Sequence, residues 1–280
     1  MKYILFNSKS RNGSSNEVID QLVKKLGDDV VKCDVLSIDK QELVNRLNSN
    51  DELNIVGGDG TLNHFVNDVD TDNLPCDTYF VASGTGNDFQ NDMKDYIVDG
   101  RIKINEVVKN LPVVTVKGKD YKFINGVGYG IDGYCCQEGD RLQALSDKPV
   151  NYTSIAIKGL LFKYKAPNAV VTVDGVSKEY KRTWLAPTMK GKYYGGGMIV
   201  APDQNRFDEN RTLTNVVMHK SGKIKTLMVF PGIFKGEHVK HTEMVEVRTG
   251  KEFHVKFDIP TALQIDGETI LDVLEYSVHI

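Results

Sequence analysis

Apolar and polar positions alternate in two textures along this chain. Tyr3 to Phe6 is a short apolar run, and Asn7 to Ser15 is polar and contains Gly13. Val18, Ile19, Leu22, Val23 and Leu26 then recur at helical spacing, with Gly27 as a stop. Val30 to Leu36 reads as a second strand, Leu43, Val44 and Leu47 mark a second helix, and Leu53 to Val56 is a third strand. This alternation predicts a parallel sheet with helices on both faces, which binds ligands beyond the carboxyl ends of its strands.

After about residue 112 the pattern changes to short β-rich runs separated by Gly, Asp and Lys turns. They are Val113 to Val116, Tyr121 to Ile124, Ala169 to Val173, Thr183 to Ala186, Leu213 to Met218, Met244 to Arg248, Phe253 to Phe257 and Tyr276 to Ile280. An antiparallel sandwich or barrel is expected there. Asn151 to Lys165 reads as one amphipathic helix, with Ile155, Leu160, Leu161 and Tyr164 apolar and Lys158, Lys163 and Lys165 basic. The expected division is residues 1–115 and 116–280.

Composition adds exclusions. Hydrophobic residues at 40% and charged residues at 26% fit a folded protein and exclude a disordered tail or a disulfide-dense miniprotein. A net charge of -3 argues against a nucleic-acid binder. The charge is uneven, because residues 1–110 hold 12 Lys+Arg against 19 Asp+Glu, leaving 23 against 19 for the rest. Cys33, Cys76, Cys135 and Cys136 have no CxxC spacing and read as reduced thiols. His238 and His241 read as a surface pair rather than a metal site. The opening MKYILFNSKS has too short an apolar run for a signal-peptide core or for the roughly 20 residues of a membrane helix, so a cytoplasmic protein is expected.

The most informative stretch is Ile55-Val56-Gly57-Gly58-Asp59-Gly60-Thr61-Leu62-Asn63, a strand entering a glycine turn and then a helix. Glycines let backbone approach an anion, and the helix start presents free amides and positive potential. It is neither a Walker loop nor GxGxxG. The glycines alone read equally well as a tight turn without ligand. Asp59 favours function, because a carboxylate among phosphate-binding amides is costly unless it serves a metal or a reacting hydroxyl. A second such loop, Val81-Ala82-Ser83-Gly84-Thr85-Gly86-Asn87-Asp88-Phe89, follows the next strand.

GGDGTLN at 57–63, SGTGNDF at 83–89, NGVGYGIDG at 125–133, GGGMIVAPD at 195–203 and QIDGE at 264–268 occur in the order and spacing of the bacterial diacylglycerol kinase family. The chain resembles that family over nearly its whole length. It is similar also to sphingosine and ceramide kinases, and more distantly to NAD kinases. The resemblance implies an open α/β nucleotide-binding domain, a β-sandwich domain, and ATP in the cleft between them. Asn7, Ser8, Lys9, Ser10 and Arg11 match the first phosphate-proximal loop, with Ser8 where the family usually has proline. Gly57, Gly58, Asp59, Gly60, Thr61, Leu62, Asn63, His64, Gly84, Thr85, Asn87 and Asp88 match the main nucleotide contacts, and Ser37 the adenosine-side hydroxyl.

Glu268 matches the family's proton acceptor, and Asp59 would hold Mg2+ or orient the lipid hydroxyl, with the two roles exchangeable. By itself Asp266-Gly267-Glu268 reads as a hairpin turn. The family's Asp-Asp-Gly turn, which holds a structural magnesium, is here Arg206-Phe207-Asp208-Glu209-Asn210-Arg211, so Asp208 or Glu209 would serve in a site that is altered or lost. The implied substrate is a membrane lipid, with diacylglycerol leading, reached by peripheral contact with the inner membrane face. Lys220 to Lys225 and Lys235 to Lys240 would adhere to anionic headgroups, or are simply solvated surface. Tyr129, Tyr134, Tyr152, Phe162, Tyr193 and Tyr194 are acyl-pocket candidates or core residues. A soluble-substrate kinase of NAD-kinase type and a non-catalytic nucleotide or lipid binder are the competing readings. A homodimer stays open.

Overall fold

The computed structural model describes residues 1–9, 14–83, 87–145, 152–159 and 163–280. The chain falls into two compact units, Met1–Leu111 and Pro112–Ile280. In the first, β1 (Lys2–Phe6), α1 (Ser14–Leu26), β2 (Val30–Asp34), α2 (Lys40–Arg46), β3 (Glu52–Gly57), α3 (Asp59–Asp68), β4 (Asp77–Ala82), α4 (Asp88–Asp92) and β5 (Ile102–Lys103) follow one another. The sheet order is β2-β1-β3-β4-β5, parallel through β4 with β5 antiparallel at the edge. The apolar stripe of α1 explains its docking: Ile19, Leu22 and Leu26 pack with Ile4, Val56 and Val81 of the strands. Each such fully buried aliphatic side chain contributes about 1.5–3 kcal/mol. Parallel strands put the turns after β1, β3 and β4 at one edge, and this positions the candidate site.

The second unit contains β6 (Val113–Val116), β7 (Lys119–Lys122), β8 (Gly126–Tyr129), α5 (Ile131–Leu145), α6 (Tyr152–Lys158), β9 (Ala169–Val173), β10 (Val176–Tyr180), β11 (Thr188–Met189), β12 (Tyr193–Tyr194), β13 (Met198–Ile199), β14 (Leu213–Met218), α7 (Lys223–Val229), β15 (Val245–Gly250), β16 (Phe253–Ile265) and β17 (Glu268–His279). Its main sheet is ten-stranded and antiparallel. The long strand β16 pairs with β9 through Phe253–Phe257 and with β8 through Leu263–Ile265, and its ladder with β17 is irregular between these stretches. One sheet can thus enclose a core that includes Tyr129, Val171, Phe257, Leu263 and Tyr276. A second core, with Ile131, Ile155, Trp184, Val229 and Phe230, seats the helices.

The structure also revises several readings. The strand β6 lies wholly in the second unit, so a division at 115/116 would cut it. Thr183 to Ala186 is not a strand. Leu185 makes only isolated bridges to Gly130 and Met218, and the regular ladder begins past Pro187, at β11. Within the amphipathic segment the structure describes α6 over Tyr152–Lys158, and Asn151, Leu160, Leu161 and Phe162 lie outside the described residues. His238 is buried, not superficial: its Nε2 lies 3.0 Å from the Val200 carbonyl, and burial pushes its pKa down to about 4. Tyr129 is a core residue, stacked on Phe257 with its hydroxyl donating to the Val273 carbonyl at 2.6 Å. All four cysteines are free thiols.

Candidate functional site

In the first unit, hydrogen bonds draw the three strand-end turns together. Ser83 N–H donates to the Gly57 carbonyl at 2.8 Å, joining the ends of β4 and β3. Ser83 and Ser15, at the start of α1, are 3.1 Å apart through their hydroxyls. Asp59, the first residue of α3, accepts the backbone N–H of Asp88 at 2.8 Å and of Phe89 at 3.0 Å. Phe89 is fully buried and meets Phe80 edge-on, anchoring α4 where Asp59 reaches it. The turn before α3 is tight: a Cβ on Gly57 would come 2.4 Å from Thr61. Gly58 caps α3 without a side-chain hydrogen bond. The helix start therefore presents backbone amides, the arrangement that receives phosphate.

The predicted contacts sort accordingly. Asn7 Oδ1 accepts the Lys9 N–H at 2.9 Å, closing the turn after β1. Asp34, which the sequence reading passed over, accepts the N–H of Ser8 at 3.3 Å and of Leu36 at 3.1 Å. The Ser8 hydroxyl, followed by the Leu36 amide, holds the Asp34 carboxyl below its usual range. Ser37 sits in that same turn, its hydroxyl donating to the Asp34 carbonyl at 3.0 Å. Its signal was an aspartate ending an apolar run. Leu62 is a core side chain, so only its backbone is available to a ligand, whereas His64 is exposed. Asn63 is buried and receives the Asn67 amide at its carbonyl. Gly60 and Thr61 lie in the first turn of α3, and Asn87 and Asp88 at the start of α4. Ser10, Arg11, Gly84 and Thr85 lie outside the described residues.

In the second unit, Asp266 and Gly267 form the two-residue turn between β16 and β17, both left-handed, at φ 48° and 99°. Glu268 is the exposed first residue of β17. The hairpin reading of this motif thus holds locally, and Asp266 makes it more than a turn. Its carboxylate accepts the N–H of Ile124 at 2.6 Å, Asn125 at 2.8 Å and Gly126 at 2.9 Å. The buried Arg206 holds the same segment from another side, donating to the Ile124 carbonyl and, at 2.7 Å, to Asn125 Oδ1. Gln264 Oε1 accepts the Gly267 N–H at 2.7 Å.

Asp132 is the functional candidate that sequence reasoning missed, although it lies in the quoted NGVGYGIDG stretch. It is buried in the first turn of α5, and neither carboxylate oxygen makes a hydrogen bond of standard geometry among the described residues. Burial pushes its pKa up to about 6, while the Gly133 amide and the Tyr194 hydroxyl act in the other direction. Gly128 makes room for it, since a Cβ there would stand 2.1 Å from Asp132 Oδ2. Burial, then Asp132, Asp140 and Glu268, push the Cys136 thiol up to about 12.

In the turn where the resemblance implies a structural magnesium, the Asp208 carboxylate accepts hydrogen bonds from the protein's own groups. Asp208 Oδ2 accepts both the N–H and the hydroxyl of Thr212, at 2.9 and 2.5 Å, and Oδ1 accepts the Asn210 N–H at 3.2 Å. Lys190 Nζ donates to the Arg206 carbonyl at 3.0 Å, and burial, with Arg206 and Arg211, lowers its pKa to about 8. Glu209 is exposed. Among the described residues, no group of three or more His, Cys, Asp or Glu is placed to hold a metal. No helix among them is long and apolar enough to cross a membrane.

Comparison with known proteins gives two adjoining family matches. Residues 2–113 match the diacylglycerol kinase catalytic domain, and residues 125–275 match the YegS C-terminal NAD kinase β-sandwich-like domain. A diacylglycerol kinase of Mycobacterium tuberculosis is 24% identical over 217 residues, 74% of this chain and 67% of its own length. A crystal structure of a diacylglycerol kinase from Bacillus anthracis superposes over 99% of this chain and 93% of its own, at TM-score 0.65 and 18% identity. Another structure from that organism, with the same coverage, reaches TM-score 0.70 at 16% identity.

Proposed function

The chain belongs to the diacylglycerol kinase family of lipid kinases, and from that premise we propose that it transfers the γ-phosphoryl group of ATP to a hydroxyl of diacylglycerol or a related membrane glycerolipid. The observation that carries this reading is the Asp59 clamp, which fixes a carboxylate at an uncapped helix start and ties it to the turn after the neighbouring strand.

The amides of the turns after β1, β3 and β4 bind the phosphates, and Ser37 faces the adenosine side. Glu268, exposed at its hairpin, takes the proton of the lipid hydroxyl. That oxygen attacks the γ-phosphorus, the bond to the β-phosphate oxygen breaks, and ADP leaves with a phosphorylated lipid remaining. Asp59 orients the hydroxyl or would hold Mg2+, which when bound would neutralise phosphate charge. Positioning and charge neutralisation supply most of the catalysis in such transfers.

The test is transfer of labelled γ-phosphate from ATP with magnesium to diacylglycerol, phosphatidylglycerol, sphingosine and NAD in mixed micelles, beside a Glu268→Gln control. Labelled lipid that is lost in the control supports the proposal and names the substrate class. Label on NAD alone points to a soluble-substrate kinase, and label on nothing despite ATP binding to a non-catalytic member.

A further inference from the structure

We propose that α7 and the turn after it, residues 223–235, form a docking surface for anionic bilayers. The inference rests on the lipid-kinase reading for its purpose, but the surface stands on its own geometry.

The seven residues of α7 divide sharply by face. Thr226 and Val229 are buried, with Phe230 and Ile233 beyond them. Ile224 and Met228 are 74% and 70% exposed. At about 100° per residue, these two stand together on the face opposite Thr226 and Val229. Lys223 and Lys225 fall roughly 100° to either side of Ile224, flanking the apolar ridge on both edges. Phe234, in the turn that follows, is 40% exposed. Residues 220–240 carry five lysines and one acid, Glu237, within a chain of net charge -3. Lys225 pairs with Glu243 at 2.8 Å, and 47% of its side chain remains exposed.

The chemistry selects the occupant. An apolar ridge between lysines matches the boundary of an anionic membrane, where Ile, Met and Phe enter the acyl edge and ammonium groups meet lipid phosphates. The core of a protein interface is depleted in lysine. A second copy meeting this face about a two-fold axis would set the lysines of one ridge against those of the other. An isolated exposed aliphatic needs no explanation, but two on one helix face, flanked by cations and followed by an exposed Phe, form a patch.

The experiment is co-sedimentation of the full chain with vesicles of phosphatidylcholine alone or containing phosphatidylglycerol, without nucleotide. We expect binding to the phosphatidylglycerol vesicles that weakens with added salt. The Ile224→Asp/Met228→Asp and Lys223→Gln/Lys225→Gln variants should each weaken it by at least about tenfold. Melting temperatures should stay near that of the parent, because all four side chains are exposed. Equal partitioning of parent and variants overturns the proposal, as does equal binding to both vesicle types. Light scattering that shows the variants splitting a dimer without a change in vesicle binding would instead assign the face to a second copy. Phosphoryl transfer to a short-chain diacylglycerol dispersed in detergent separates the readings: its loss in the parent removes the kinase, whereas its retention in docking-defective variants leaves the kinase and confirms the surface.

Discussion

Asp266 Oδ1 accepts the backbone N–H of Asn125 at 2.8 Å, joining positions 141 residues apart. With the Ile124 and Gly126 amides on the same carboxylate, the turn that precedes Glu268 is fixed to the start of β8. Asp266→Ala would orphan three buried N–H groups. The expected loss is on the order of 3 kcal/mol or more, with Asp266→Asn costing less because an amide oxygen still accepts. Urea unfolding measures this directly, and a loss below about 1 kcal/mol would mean that water replaces the carboxylate.

Glu268→Gln removes a base while keeping shape and exposure. Turnover should fall at least tens-fold with an unchanged melting temperature. Near-normal turnover in the purified variant would take Glu268 out of the chemistry.

For Asp59→Asn the expectation is mixed, because the residue also clamps the Asp88 and Phe89 amides. One acceptor survives, so stability should drop by only about 1 kcal/mol while turnover falls at least tens-fold. A proportionate loss of both would reduce Asp59 to a structural clamp.

The Lys190, Arg206 and Asp208 corner carries a prediction about metal. Without nucleotide, magnesium or EDTA should shift the melting temperature by less than about 1 °C, because a ligand stabilises only what it binds. A clear magnesium-dependent rise that disappears in Asp208→Asn would restore a divalent ion to this turn.

How much of this was legible in the sequence depended on the range of the interaction. The β1 to α3 series follows local periodicity, and the GGDGT turn announces itself through glycines between an apolar strand and an amphipathic helix. The helix α5 was hidden because glycines, adjacent cysteines and charges interrupt its apolar positions, and its packing supplies the missing stabilisation. Likewise Thr183 to Ala186 has strand composition, yet its pairing with the neighbouring chain segments stays at isolated bridges until β11 begins past Pro187. Asp132 and Arg206 owe their importance to burial against segments distant in sequence, which no local pattern encodes. Asp34 was within reach, since an acid at the end of a strand before a polar turn is a recurrent cap for backbone amides.

The buried Asp132 gives a pH signature of its own. Its carboxyl is raised from 3.8 to about 6 by burial, so between these values the folded state binds more protons than the unfolded chain. Stability from this group is therefore present at low pH and is lost as pH rises through the window, by up to about 3 kcal/mol. Asp34 and Asp208, whose carboxyls are lowered, contribute the opposite slope at more acid pH, so the total curve conceals the effect. Comparing the parent with Asp132→Asn isolates it. The variant should gain stability over the parent at about pH 7.5 and lose that advantage at about pH 4.5. A difference that stays constant across this range would mean that Asp132 titrates normally and that the space beside Gly128 and Gln264 is open to water.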